Sequence, residues 1–291
     1  MIIRGSETVL VQGITGRQGT FWSEKMLGYG TKIIGGVNPK RAGERHLERP
    51  VWASAVTAGK ETQIDAAVMF IPPLGVKDAA LDLIAAGIRK IVCLTEHVPV
   101  QDTMYLLAAA RERGCRVVGP NTAGLVTTGE CFVGFMPAFN ERVFKPGDIG
   151  VISRSGSLGT LLCLNLVQAG MGISSFVGIG GDPIIGTTTR DALEALDKDP
   201  RTKAIALVGE IGGSMEEAAA EYAKGMKKPV AAFIAGAASP PGKKMGHAGA
   251  IVMGNKGSYA GKKAALEAAG VTVCATPNGV PGVLKQKLRR E

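Results

Sequence analysis

The chain has 291 residues, 45% of them hydrophobic and 20% charged, with a formal charge of +9 from 34 Lys and Arg against 25 Asp and Glu. That balance describes a globular protein with room for two domains and excludes a disordered or fibrous chain. Aromatic residues are only 5% and form no stripe with basic ones, so the mild positive charge points to a small phosphate-bearing ligand rather than to a nucleic acid.

The five cysteines, Cys93, Cys115, Cys131, Cys163 and Cys274, are widely spaced and form no CxxC pair. Neither a zinc site nor a disulfide framework is expected, no metal ligand set is read in the chain, and a reducing, cytoplasmic setting is the expectation. Met-Ile-Ile-Arg-Gly-Ser does not read as a signal peptide, and no apolar run reaches the length of about 18 residues that a membrane helix needs.

In chain order, the apolar pattern predicts a strand over Thr8–Gln12, a helix over Thr20–Tyr29, and strands over Lys32–Val37, Ala66–Ile71, Lys90–Leu94 and Arg116–Val118. Helices fit at 75–87 and 101–113. This is a βαβ series, hence a parallel sheet covered on both faces. Over 127–147 the rhythm breaks at Gly129, Gly134, Pro137, Pro146 and Gly147. It restarts with a strand over Ile149–Ser153, a helix from Ser157, and strands over Ile173–Ile179, Ala204–Val208 and Pro229–Ala235. The expected organisation is α/β with two doubly wound domains, residues 1–122 and 149–291, joined by a connecting segment over 123–148.

Gly13-Ile14-Thr15-Gly16-Arg17-Gln18-Gly19 lies between the first strand and the first helix. Glycines there let the backbone approach a phosphate, and the helix N-terminus supplies N–H donors and a positive dipole. The spacing is GxxGxxG, which also occurs in plain tight turns. At the end of the second strand, where NAD-binding folds usually place an acid for the ribose hydroxyls, stand Asn38, Pro39, Lys40 and Arg41. Two cations and no carboxylate suit a ribose bearing a phosphate, as in coenzyme A or NADP; a solvated basic turn is the plainer alternative.

In the second half, Ser153-Arg154-Ser155-Gly156-Ser157 again joins a strand to a helix and can present a helix N-terminus to an anion. Glu210, in Gly209-Glu210-Ile211-Gly212-Gly213, follows a strand at the carboxyl edge where ligands bind in such sheets. His247 stands in Gly242-Lys243-Lys244-Met245-Gly246-His247-Ala248-Gly249-Ala250-Ile251. A histidine between glycines, with lysines nearby, has room for a charged adduct and cations to favour an anionic one; taken alone, a histidine in a flexible glycine loop is the plainer reading. All three elements can converge on one sheet edge, where a carboxylate could orient the imidazole.

These motifs, together with Gly119-Pro120-Asn121 and Gly178-Ile179-Gly180-Gly181-Asp182-Pro183, resemble in order the α subunits of succinate–CoA ligases over essentially the whole chain. The resemblance implies an N-terminal Rossmann-like CoA-binding domain and a C-terminal flavodoxin-like ligase domain. It implies that His247 is phosphorylated, that Glu210 contacts it, and that Ser155 and Gly156 hold the phosphate. Coenzyme A would meet Thr15, Gly16, Arg17, Gln18, Arg41, Leu94, Thr95 and Glu96. A β subunit, in a heterodimer or heterotetramer, would supply ATP or GTP and Mg²⁺. The implied reaction joins succinate or a related acid to CoA through a phosphohistidine.

The sequence departs from the family pattern at four places. Thr-Pro-Gly-Lys is replaced by Asn38-Pro39-Lys40-Arg41, which keeps the charge. Gly-Pro-Asn-Cys-Pro-Gly becomes Gly119-Pro120-Asn121-Thr122-Ala123-Gly124, and Thr-Glu-Gly-Ile-Pro becomes Thr95-Glu96-His97-Val98-Pro99. Thr160 stands where the family has a tyrosine beside the substrate. A smaller side chain there leaves malate, itaconate or a bulkier acid open as the substrate. An NADP-dependent oxidoreductase and a non-catalytic CoA-binding regulator are the readings from other classes; no hydride-transfer site is evident for the former.

Overall fold

A computed structural model describes residues 1–239, 246–252 and 257–289. The chain divides into two compact units, one built on Ile3–Phe139 with Ile184–Gly186, the other on Asn140–Pro183 with Thr187–Glu291.

The first unit alternates β1 (Thr8–Gln12), α1 (Arg17–Tyr29), β2 (Lys32–Val37), β3 (Arg45–His46), β4 (Arg49–Trp52), α2 (Ala55–Glu61), β5 (Ala66–Met69), α3 (Val76–Ala85), β6 (Lys90–Cys93), α4 (Val100–Glu112) and β7 (Arg116–Val118). The strands lie in the order β3-β4-β2-β1-β5-β6-β7. All neighbours are parallel except the short β3–β4 pair. Without β3 this is the doubly wound Rossmann order, whose direction of winding reverses between β1 and β5. Leu10, Met69, Leu83, Ile91 and Leu106 are wholly buried beneath the helices. The continuous apolar runs of the central strands are what burial on both faces demands.

The glycine- and proline-marked stretch after β7 contains an antiparallel hairpin, β8 (Gly124–Thr127) and β9 (Cys131–Gly134). Four residues per strand, buried throughout, give no alternation to read. Thr31 fastens the hairpin: its hydroxyl donates to the Phe132 carbonyl at 2.7 Å and accepts from the Phe132 amide at 3.1 Å.

The second unit comprises β10 (Pro146–Ser153), α5 (Gly156–Gln168), β11 (Ile173–Gly178), α6 (Thr189–Asp197), β12 (Ala204–Glu210), α7 (Met215–Ala223), β13 (Val230–Ala235), α8 (Tyr259–Ala268), β14 (Thr272–Cys274) and α9 (Val280–Leu288). Its strands are parallel in the order β14-β13-β12-β10-β11. That is the flavodoxin order, and its winding reverses between β10 and β12. The α/β class with a Rossmann-like and a flavodoxin-like half is thus as the sequence implied. β12 runs two residues beyond the expected Val208, so Glu210 is its last residue, at the switch point.

Candidate functional site

Each unit carries one candidate site at its own switch point. In the first, β1 ends at Gln12 and the loop turns through Gly13, whose amide donates to the Val37 carbonyl at 3.1 Å. Helix α1 starts at Arg17 with no side-chain cap, leaving its positive end for a ligand. Gly19 lets the helix pack so closely on the loop that a Cβ there would overlap the Gly13 carbonyl oxygen. Gly16, Arg17 and Gln18 are exposed, and Thr15 accepts at its hydroxyl from the Asn38 side chain at 2.6 Å. Asn38 also caps the short turn Pro39–Arg41 by accepting from the Lys40 amide at 3.0 Å. The residues that replace the family pattern after β2 are therefore tied to the phosphate loop.

Arg41 is exposed and pairs with Glu44, Nη2 to Oε2 at 2.6 Å. Its hydrogen bond to that carboxylate holds the guanidinium above its ordinary range. Leu94 and Thr95 follow β6 and line a cavity of about 560 Å³ together with Gln18. The Thr95 hydroxyl donates to the Ile71 carbonyl at 2.7 Å, and its carbonyl accepts from the Asn121 amide at 2.9 Å, which fixes this loop. Glu96 is exposed.

In the second unit, His247 Nδ1 lies 2.7 Å from Glu210 Oε2. Both side chains line a cavity of about 360 Å³ with Ser155, Ser157 and Leu158 of the α5 N-terminus. Ser155 caps that helix by accepting from the Leu158 amide at 3.3 Å, and Gly156 is its first residue. A basic ring, a carboxylate and a helix N-terminus thus face one space, the combination that can receive a phosphoryl group and stabilise its charge. The imidazole packs against Gly181, where any Cβ would overlap the ring. The Gly249 amide donates to the Gly181 carbonyl at 3.3 Å, so the loop carrying His247 is laid along the segment after β11. Lys243 and Lys244, read as favouring an anionic adduct, lie outside the described residues.

Thr160 is one turn into α5. It does not line this cavity, and its hydroxyl donates to the Gly156 carbonyl at 2.8 Å. Three residues at the site went unread in the sequence. Arg154 places Nη2 at 3.1 Å from Glu210 Oε1 and Nη1 at 3.8 Å from Glu216 Oε1, and Glu216 also pairs with Lys262. Lys262 reaches Glu217 Oε2 at 3.2 Å as well. The side chains of Arg154, Glu216 and Lys262 are at most 1% exposed. Arg154 lies within Ser153–Ser157 with no role evident from the sequence, and nothing in the Glu216-Glu217 or Lys262-Lys263 doublets tells a buried charge from its solvated neighbour. Among the described residues no cluster of His, Cys, Asp or Glu is arranged to hold a metal ion, and no helix is long and apolar enough to cross a membrane.

Comparison with known proteins gives the family. The CoA binding domain matches residues 5–97 and the CoA-ligase domain residues 152–272. The succinate–CoA ligase [ADP-forming] subunit alpha 2 of Archaeoglobus fulgidus is 45% identical over 288 residues, covering 99% of both chains. The ADP-forming sulfoacetate–CoA ligase subunit SqwL of Acholeplasma sp. is 44% identical, covering 96% of this chain and 95% of its own. Among solved structures, ATP citrate lyase from Methanothrix soehngenii shares the fold at a TM-score of 0.90 and 24% identity, over all of this chain and 51% of that one. The class is therefore that of the acid–thiol ligases that use coenzyme A. Within it, the chain belongs to the family of succinate–CoA ligase α subunits.

Proposed function

We propose that this chain is the α subunit of a nucleoside-diphosphate-forming acid–CoA ligase in which His247 carries the phosphoryl group. The observation that supports this most is the 2.7 Å contact of His247 Nδ1 with Glu210 on a cavity that also receives the α5 N-terminus. A carboxylate can only accept, so Nδ1 carries the proton and Nε2 keeps its lone pair as the nucleophile. The Nε2–P bond forms as the terminal P–O bond of ATP or GTP breaks, with Ser155, Gly156 and the helix dipole beside the transferred charge. A carboxylate oxygen of the acid then takes the phosphoryl group, and His247 is restored. The CoA thiol, losing its proton, attacks the acyl carbon, and inorganic phosphate leaves. Splitting the overall exchange in this way replaces one difficult step by easier ones.

Coenzyme A is assigned to Thr15, Gly16, Arg17 and Gln18 at the phosphate loop, to Arg41 at the ribose phosphate, and to Leu94, Thr95 and Glu96. The nucleotide and Mg²⁺ belong to a β subunit, in a heterodimer or heterotetramer. Succinate is the first candidate acid. Sulfoacetate is the second, because relatives named for it reach 44% and 39% identity over nearly the whole chain, close to those named for succinate. Thr160 belongs to the same question, on the strength of its position alone. Incubation of the α–β complex with γ-labelled ATP or GTP should leave an acid-labile, alkali-stable label on this chain, and His247→Asn should abolish it. A label that persists in His247→Asn overturns the assignment.

A further inference from the structure

The first unit holds cavities on both sides of the loop Gly13–Gly19. One, about 360 Å³, lies at the ends of β2 and β4 and is lined by Val37, Pro39, Ser54 and Ile71 among others. The other, about 560 Å³, lies beyond β5 and β6 and is bordered by Gln18, Trp22, Phe70, Leu94, Thr95 and Phe135. A ligand with its diphosphate on the loop must send one arm to each side. Pro39 opens the turn that carries Arg41, so the cation marks the first cavity for the phosphorylated adenosine. The second is left for the remaining arm.

We infer that Trp22 and Phe135 form an aromatic wall that receives the pantetheine arm of coenzyme A, and that this wall lets the site tell the whole coenzyme from its phosphoadenosine half. The inference rests on the assignment of coenzyme A to Thr15–Gln18 and Arg41. The two rings stand 6.2 Å apart between centroids, tilted by 49°, and Phe21 braces Trp22 edge-on at 5.2 Å. The indole N–H donates to the Gln18 side chain at 3.2 Å. Its one polar group is taken up by the phosphate loop, so what Trp22 offers the cavity is apolar ring surface. Phe135 is 38% exposed and Phe21 46%, a patch of aromatic carbon open to water. The geminal methyls and methylenes of pantetheine are apolar cover for such a surface. Their two amides need only a few polar groups, as in most small-molecule sites.

Calorimetry on the full-length chain in complex with its partner, with coenzyme A and with adenosine 3′,5′-bisphosphate, tests this. Phe135→Ala and Trp22→Ala should each weaken coenzyme A about three- to tenfold, the range of one lost aromatic contact, and leave the bisphosphate unchanged. Trp22→Ala also releases Gln18, so Phe135→Ala is the cleaner variant. Equal losses for both ligands, or no loss for either, overturn the inference. Wild-type protein that binds neither ligand instead brings down the coenzyme assignment itself. A second readout uses the isolated full-length chain, which has two tryptophans. Trp52 ends β4 beside the first cavity, so the emission is read in a Trp52→Phe background, where Trp22 is the one tryptophan left. Coenzyme A should change the emission and the bisphosphate should not; the reverse result assigns the wall to the adenosine arm.

Discussion

Charge is handled in opposite ways at the two sites. At the phosphate loop, Arg41 and Glu44 pair in the open, with 43% and 48% of their side chains exposed. At the histidine, the chain Arg154–Glu210 and Arg154–Glu216–Lys262 is sealed, and none of these side chains is more than 8% exposed. A surface pair contributes little and exchanges partners at little cost, so Arg41 can leave Glu44 for a ligand phosphate. A buried charge that loses its partner is left in a low dielectric with nothing to answer it. The first site can therefore adapt to a coenzyme that comes and goes. The second is held in place by its buried partners, as the proposed role of His247 in presenting one nitrogen to phosphorus would require.

Breaking the buried chain should produce the largest effect. Glu216→Leu leaves Lys262 and Arg154 short of a carboxylate and should destabilise the protein by about 3–5 kcal/mol, read in urea unfolding. Glu216→Leu with Lys262→Met removes both charges of the pair and should recover most of that loss. A single variant as stable as wild type would mean that Glu217 or water replaces Glu216, and the contrast between the two sites would narrow.

Glu210→Gln tests what the buried chain is for. The amide keeps the shape but no longer fixes which imidazole nitrogen bears the proton. Phosphorylation of His247 should slow by roughly ten- to a thousandfold, and because Arg154 loses one of its two carboxylates the unfolding midpoint should also fall, by less than in Glu216→Leu. Wild-type rates in rapid-quench labelling would reduce Glu210 to a strand end.

The exposed site calls for smaller numbers. Arg41→Ala should weaken coenzyme A roughly tenfold or more while sparing dephospho-CoA. Glu44→Gln frees Arg41 from its competitor and should tighten coenzyme A by about twofold at most. Equal losses for CoA and dephospho-CoA in Arg41→Ala would take Arg41 off the ribose phosphate.

The same contrast explains which features could be read in the sequence. Gly13–Gly19 and Asn38–Arg41 are contiguous, and their chemistry follows from strand, turn and helix. The strand ends at Gln12, Val37 and Ser153 matched because buried parallel strands are unbroken apolar runs. Glu210 and His247 lie 37 residues apart, and their common edge followed from the resemblance and the strand-end rule. Arg154, Glu216 and Lys262 come from a strand end and two helices, and their partnership exists only in three dimensions. The hairpin β8–β9 escaped because its strands are too short to show a period. For the buried charges the missing information was non-local; for the hairpin it was a period too short to read.

Thr160 offers the finest test, because its sequence position and its environment pull apart. Its hydroxyl already serves the Gly156 carbonyl, as threonines within helices often do. If that bond persists in the working enzyme, the hydroxyl is not what recognises the acid. Thr160→Val should then leave the ratio of kcat/KM values for succinate and malate unchanged. A pocket that depends on a hydrogen bond discriminates strongly, so a large change in that ratio would show the hydroxyl in use. Thr160→Tyr probes volume instead. Extra bulk is distinguished weakly, by about tenfold at most for a small group, so the ring should favour succinate over citrate by no more than that. No shift in either variant would place the acid beyond the reach of this helix face and leave specificity to Ser155, Ser157 and the partner subunit.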